Sequence, residues 1–217
     1  MRHVFEEELN QLNKDMITMG SMCENAIQTA TTYIRYQTAD KNAEIVDIVE
    51  QINHKERDIE NMCLKLIMQQ QPVARDLRTI TSALKMVSDL ERIGDNADDI
   101  AEIVSMNNIP TADVEAIELI DMAKAANEML SDAINSFVKR DDELAKKVID
   151  TDDAIDNYFN NIKLKLAEDF RDSSHNLDSV LDLFMISKYF ERIGDHSVNI
   201  ARWVLYMITG TLEGNTN

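Results

Sequence analysis

Five consecutive residues, Glu-Arg-Ile-Gly-Asp, occur at 91–95 and again at 191–195. Each copy lies in a run of residues spaced by three and four, the signature of one buried helix face. The first run is Leu77, Ile80, Leu84, Val87, Glu91, Gly94, Asp98, Ala101; the second is Leu177, Val180, Phe184, Ser187, Glu191, Gly194, Val198, Ala201, Leu205, Ile208. A helix face that recurs with the same pentapeptide calls for a fold made of two copies of one helical unit. It also sets a chemical problem, because in both copies a glutamate stands where the stripe calls for an aliphatic side chain. A lone buried carboxylate is too costly to leave ionised, so it must be protonated, paired or bound to a cation.

Only two prolines punctuate the chain, Pro72 and Pro110, and both fall where the periodicity breaks. From about residue 4 to 37 one stripe runs Phe5, Leu9, Leu12, Met16, Met19, Cys23, Ala26, Ala30, Tyr33. Thr38-Ala39-Asp40 offers a turn and an N-cap. A second stripe, Ile45, Val49, Ile52, Glu56, Ile59, Cys63, Leu66, closes at Gln69-Gln70-Gln71-Pro72, since the residue before a proline avoids helical geometry. The helix of Glu91 comes third and ends at Asn107-Asn108-Ile109-Pro110. The pattern then restarts with Ala112, Ala116, Leu119, Ala123, Ala126, Leu130, Ala133, Phe137, up to the charged turn Lys139-Arg140-Asp141-Asp142. A fifth stripe follows through Leu144, Val148, Asp152, Ile155, Phe159, Ile162, Leu166. Asp172-Ser173-Ser174-His175 then turns into the helix of Glu191. Six helices of roughly 25–35 residues with short connections predict an all-α fold with antiparallel packing. The expected architecture is two tandem antiparallel three-helix bundles, residues 1–108 and 109–217, elongated because the longest helix spans about 45–50 Å at 1.5 Å per residue.

The composition agrees: aromatics make up 6% and glycines number five, leaving a chain rich in helix formers. No run approaches the roughly 20 apolar residues of a membrane span, and the first residues lack the apolar core of a signal peptide. The expectation is a cytoplasmic protein without direct membrane insertion. Cys23 and Cys63 fall on apolar stripes of two helices and read as reduced core thiols. The net charge of −18 argues against nucleic acid, anionic lipid and small free anions as ligands. Cations and positively charged protein surfaces remain as partners.

The second and fifth stripes repeat the acidic anomaly. Glu56 stands between Ile52 and Ile59, Asp152 between Val148 and Ile155, and four residues on from each lies another acid, Glu60 and Asp156. Residues i and i+4 share a helix face. Each bundle is therefore expected to bring an acid pair on its second helix, Glu56/Glu60 or Asp152/Asp156, against one on its third, Glu91/Asp95 or Glu191/Asp195. Asp99 and Asn199 lie one turn beyond. Four converging carboxylates call for cations, and oxygen ligands suit Mg²⁺, Mn²⁺, Ca²⁺, Fe or, less selectively, Zn²⁺. The competing account pairs these acids with Arg92, Arg192, Lys55 or Lys188. Gly94 and Gly194 each cost a helix interior about 1 kcal/mol relative to alanine, and their bare faces would admit a metal, a water or a neighbouring helix.

Other chemistries find no support. The chain lacks the Glu-x-x-His of di-iron bundles, the His-Glu-x-x-His of zinc proteases and an EF-hand loop. His3, His54, His175 and His196 are scattered, and His196 has Asn96 as its counterpart. With no nucleophile elbow or phosphate loop, an enzyme is not expected. A metal-dependent phosphohydrolase and a metal-free helical scaffold are the alternatives. The last helix carries a second apolar set, Ile200, Trp203, Val204, Met207, which predicts either packing inside the chain or self-association as a homodimer.

Three segments together resemble the PhoU-type phosphate-uptake regulators: Gln71-Pro72-Val73-Ala74-Arg75-Asp76-Leu77-Arg78, Leu90-Glu91-Arg92-Ile93-Gly94-Asp95, and Phe190-Glu191-Arg192-Ile193-Gly194-Asp195-His196 with Asn199-Ile200-Ala201. The resemblance covers essentially the whole chain. It implies a cytosolic negative regulator of phosphate acquisition built of two three-helix bundles. Such a regulator links the phosphate ABC transporter, through its ATPase subunit, to a sensor histidine kinase and its response regulator. It further implies multinuclear iron or zinc held by Glu/Asp-x-x-x-Asp motifs, which map onto Glu91/Asp95 and Glu191/Asp195 with partners Glu56/Glu60 and Asp152/Asp156. Glu60 departs from the usual Asp at the second motif position, and Asn199 replaces an acid.

Overall fold

Long amphipathic stripes interrupted at two prolines give long helices joined by short turns. The computed structural model describes residues 2–70, 72–106, 109–170 and 176–211. Its elements are α1 (Arg2–Tyr36), α2 (Ala39–Gln70), α3 (Ala74–Met106), α4 (Thr111–Ala116), α5 (Leu119–Lys139), α6 (Asp142–Asp169) and α7 (Leu177–Thr209), with no strand among the described residues. The expected turn at 172–175 lies outside the described residues, as do Asn107 and Asn108. Helix α6 starts at Asp141, whose side chain accepts from the Leu144 amide at 3.0 Å, and α7 starts at Asn176, which accepts from the Asp178 amide at 3.1 Å. Gly210, at φ 78°, closes α7 in the left-handed conformation that costs glycine least.

One expected helix is divided. The stripe beginning at Ala112 breaks into α4 and α5 at Ile117 and Glu118, where Glu118 takes φ 55°. The break changes which residues face inward. Ala112 is exposed, while Val114, Ile117, Leu119 and Ile120 are all buried, a set no single straight helix face holds together.

The repeat has an unequal register. The turn residues Gln37 and Arg140, both with φ near 50°, are 103 apart, and so are the helix starts Ala39 and Asp142. The glycines of the two pentapeptides tell the same story. A Cβ on Gly94 would lie 3.1 Å from the Ile52 side chain, and one on Gly194 would lie 3.3 Å from Ile155, again 103 residues on. Both glycines thus admit a neighbouring helix, one of the three roles their bare faces suggested. The first two helices of the unit therefore repeat at 103 and the third at 100, which corrects the expected correspondence. Glu56 and Glu60 match Phe159 and Lys163, whereas Asp152 and Asp156 match Val49 and Asn53. The expected pairing was wrong by seven residues, two helical turns, and a slip of that size leaves a 3–4 stripe looking unchanged.

Helices α1, α2 and α3 form one bundle, and α5, α6 and α7 the other. The two join along α3 against α7 and α1 against α5, in one continuous apolar core. Helices α3 and α7 run antiparallel: Asn199 donates to Asp89 at 3.3 Å, and the Tyr189 hydroxyl donates to Asp99. Those two contacts are the same pair of positions with the repeats exchanged, so an approximate two-fold axis relates the halves. The second apolar face of α7 is absorbed here, since Ile200, Val204 and Met207 are buried within the chain and Trp203 is partly covered with its ring against Tyr206. That face therefore gives no ground for a homodimer. Cys23 and Cys63 are free, buried thiols; Cys23 donates to the Leu90 carbonyl at 3.2 Å, and burial pushes Cys63 up to about 12.

Candidate functional site

In the first bundle, α2 and α3 bring four carboxylates to one seam. Glu56 and Glu60 come from α2, Glu91 and Asp95 from α3. The contact of Ile52 with Gly94 draws the two helices close and fixes the acids beside that point. The Glu91 side chain is 20% exposed. Burial is the main force raising its carboxyl above the ordinary range, followed by the charge of Asp95, with Glu56 adding to it. Glu56 is raised as well, by burial first and then by Glu60, with Asp95 contributing. Neutralisation is thin. Arg92 lies 3.4 Å from Glu91 and 3.6 Å from Asp95, but its side chain is 60% exposed and the pairing is weakened by solvent. Lys55 is turned away to α1, where it binds Asp15 at 3.1 Å. The acidic column continues down α3: Asp98 is raised by burial first and then by Asp99, Glu102 and Asp95.

The second bundle differs at nearly every one of these places. The Glu191 side chain is 13% exposed, and the Lys188 ammonium sits 2.5 Å from one of its oxygens. The same ammonium lies 5.2 Å over the Phe159 ring, which packs on Phe184 with centroids 5.7 Å apart. Phe159 thus takes the place of Glu56, and Lys188 that of Ser88. The other oxygen of Glu191 is buried with no hydrogen-bond donor among the described residues. Asp195 faces Asp152 in a recess of about 330 Å³ that also holds Arg192 and Arg202. Burial raises Asp152 first, then the charge of Asp195, while Arg202 opposes the shift. Asp156 stays exposed.

Asp99 and Asn199 border the seams, since Asp95 adds to the raised carboxyl of Asp99 and Asn199 lines the recess of Asp152 and Asp195. They sit at the junction of the halves, Asp99 with Tyr189 and Asn199 with Asp89. Asp89 also receives His196, whose Nδ1 is 2.9 Å from its carboxylate, so His196 ties α7 to α3.

The donor sets decide how well each seam suits a cation. The first offers only carboxylate oxygens, with raised carboxyls that a positive charge would relieve, and fits a hard or borderline ion. The second already contains its cations, as side chains. Among the described residues no three His, Cys, Asp or Glu side chains gather round one point, so holding an ion at the first seam requires its carboxylates to turn inward by rotamer changes. Sequence reasoning overlooked Asp98 as a member of the first seam and Phe159 and Arg202 as the residues that alter the second. Aligning α3 on α7 at 100 exposes the contrast, since Asp98, Asp99 and Glu102 correspond in sequence to Val198, Asn199 and Arg202.

The arrangement of two long-helix units in one chain is matched among known proteins. The family described as PhoU domain matches twice, over residues 16–104 and 119–204. The chain belongs to the PhoU family. One relative, a phosphate-specific transport system accessory protein PhoU homolog from Clostridium acetobutylicum, is 31% identical over 210 residues, covering 96% of both chains. The PhoU of Escherichia coli K12, named a phosphate-specific transport system accessory protein, is 28% identical over 95% of this chain and 86% of its own. Among solved structures, the crystal structure of PhoU from Pseudomonas aeruginosa superposes with a TM-score of 0.88 at 29% identity, over 95% of this chain and all of that one. The all-helical, duplicated PhoU fold read from the stripes is thus the fold of the family. No helix of the described residues is long and apolar enough to cross a membrane.

Proposed function

We propose that this PhoU protein is a cytoplasmic accessory regulator of a phosphate transport system that acts through protein contact rather than catalysis. What carries the reading is the chain-long match of two PhoU domains to relatives named as accessory proteins of that system. Its two repeats span 1–108 and 109–217. Its partners are the ATPase subunit of the phosphate ABC transporter and a sensor histidine kinase, and it restrains the phosphate-starvation response while phosphate is plentiful. The acidic surface, with a net charge of −18, favours encounter with basic patches on such partners.

In this reading the first seam is the cation site. Glu56, Glu60, Glu91 and Asp95 would hold the ion, of the class Mg²⁺, Mn²⁺, Fe or Zn²⁺, and Asp98 lies next in the column. When bound, the cation supplies positive charge that offsets carboxylate repulsion between α2 and α3. The protein's own residues do the rest: Ile52 against Gly94 sets the helix separation, and Lys55, held by Asp15, keeps its charge out of the seam.

Deleting the gene in its host is expected to switch on phosphate-starvation reporters in phosphate-rich medium. In vitro, the purified protein is expected to bind the transporter ATPase or the kinase in a salt-sensitive manner, because exposed charges are screened over about 8 Å at physiological ionic strength. Reporter output that is the same with and without the gene, at high and low phosphate alike, would remove the regulatory reading.

A further inference from the structure

Helices α1 and α5 cross near the two-fold axis, and the two halves of that crossing are filled differently. In one half the Ile134 side chain occupies the space over Gly20, where a Cβ would lie only 2.8 Å from it. The 103-residue offset maps Gly20 onto Ala123 and Ile134 onto Thr31, so the other half places a threonine where the first has an isoleucine. Thr31 does not fill the gap, because its hydroxyl folds back to donate to the Ile27 carbonyl of its own helix at 2.7 Å. The result is a cleft of about 260 Å³ with Thr31 and Ala123 both in its wall.

The lining is chemically mixed in a way that plain core packing would not require. Ile27, Ile120 and Ala123 form an apolar floor, and the Tyr36 ring stands at the rim, 64% exposed. Two cations border the cleft. Arg35 has no acid within ion-pair distance among the described residues, and Lys124 lies 3.1 Å from Asp121. The Asn127 Oδ1 is buried and accepts no hydrogen bond among the described residues. A buried acceptor left empty is costly, and a ligand N–H would satisfy it. An overall charge of −18 speaks against free anions as ligands, but it is an average over the surface, and these two cations stand on a single cleft.

We propose that the cleft between α1 and α5 binds a small organic anion with a flat body and an N–H donor, the nucleoside monophosphate class. The phosphate is placed at Arg35 and Lys124, the base over Ile27 and Ile120 beside Tyr36, and a ring or amino N–H at Asn127 Oδ1. Ligand sites favour such junctions between structural units, with an apolar wall and a few placed polar groups. Bound there, the nucleotide bridges the two repeats at α1 and α5 and stabilises their packing. This inference stands apart from the cation seam, which lies between α2 and α3, and from the proposed regulatory function.

The test is calorimetric titration of the full chain at low salt with AMP, adenosine and inorganic phosphate as separate probes. AMP is expected to bind with Kd below about 1 mM, and adenosine and phosphate each at least tenfold more weakly, about 1.4 kcal/mol. Arg35→Gln, at an exposed position, is expected to weaken AMP tenfold or more with no change in melting temperature. Thr31→Ile, which copies the filled half, is expected to abolish binding while the protein stays folded. No AMP binding by the wild type overturns the proposal. So does AMP binding untouched by Arg35→Gln, and so does phosphate binding as tightly as AMP, since the organic body would then contribute nothing. Should Thr31→Ile fail to fold, Arg35→Gln and the three-probe comparison still decide.

Discussion

The two seams share a pentapeptide and a backbone plan yet solve the buried-glutamate problem in opposite ways. In the second, Lys188 reaches Glu191 at 2.5 Å while resting on Phe159, so the neutralising charge is built into the chain. In the first, Ser88 and Glu56 occupy those two places, and the acids are left with exposed Arg92 beside Glu91 and Asp95 and with Arg57 beside Glu56. The lesson is that duplication preserves the helix contact, Ile52 on Gly94 and Ile155 on Gly194, more faithfully than the charges around it. In one repeat the counter-charge to the glutamate is part of the chain, and in the other the seam carboxylates outnumber the cations beside them.

The largest expected effect tests that asymmetry directly. Adding Mn²⁺, Fe²⁺ or Zn²⁺ to chelator-stripped protein, at a hundredfold excess over Kd, should stabilise it by about 2.7 kcal/mol. For a chain of this size that raises the melting temperature by about 5–10 °C. Glu56→Ala with Glu91→Ala should remove the rise, and Glu191→Ala should not. A rise that survives the first pair and disappears with the second would place the cation in the wrong repeat.

Next in size is the built-in charge. Lys188→Met leaves Glu191 nearly buried without its ammonium and should cost about 2 kcal/mol, read by denaturant unfolding. Adding Glu191→Gln to that variant should restore most of the loss, because the uncompensated charge is gone. If Lys188→Met proves neutral, the second seam is not held together by this pair.

Much of this is legible in the amino-acid sequence itself. The long helices, the turn at Arg140, the buried thiols and the partial burial of Glu91 and Glu191 follow from stripe spacing and charge runs, whereas the turn expected at Thr38-Ala39-Asp40 falls at Gln37 and Thr38, because α2 already starts at Ala39. Spacing fails where it is degenerate. A stripe shifted by seven residues still looks like itself, and so Asp152 was matched to Glu56 when its structural counterpart is Val49. The split at Glu118 escaped notice for a related reason: Val114 and Ile117 are as apolar as the alanines of the assumed stripe, and only packing reveals which set goes inside. Partner choice across helices was the least legible. Lys55 and Lys188 are equally plausible neutralisers in one dimension, yet one faces Asp15 and the other Glu191.

A transplant sharpens the comparison at smaller amplitude. Ser88→Lys places in the first seam the cation that the second already has, three residues before its glutamate. The metal-free protein should gain about 0.5–1 kcal/mol, in the range of a part-buried pair. Its melting temperature should then respond less to added metal than that of the wild type. A full metal response in Ser88→Lys would mean that the ion is not competing for Glu91.

The smallest effect concerns the sign of the charge itself. Burial and Asp95 raise the Glu91 carboxyl above its ordinary 4.5, so the folded state holds that proton more tightly than the unfolded chain. The stability linked to the protonated form is fully present below 4.5 and is lost as pH rises through the raised value, leaving an ionised, destabilising group at pH 7. Glu91→Gln removes that burden. In metal-free protein it should raise stability at pH 7 by about 0.5–1 kcal/mol, with the gain shrinking to nothing as the pH approaches 4.5. Glu191→Gln should do the reverse at pH 7, lowering stability, because there the substitution discards an ion pair with Lys188 instead of a repulsion. Melting curves of the two variants against pH, run side by side without metal, read both signs at once. If both variants move the same way at pH 7, the repeats are electrostatically equivalent and the distinction between a self-neutralised and a cation-dependent seam does not hold.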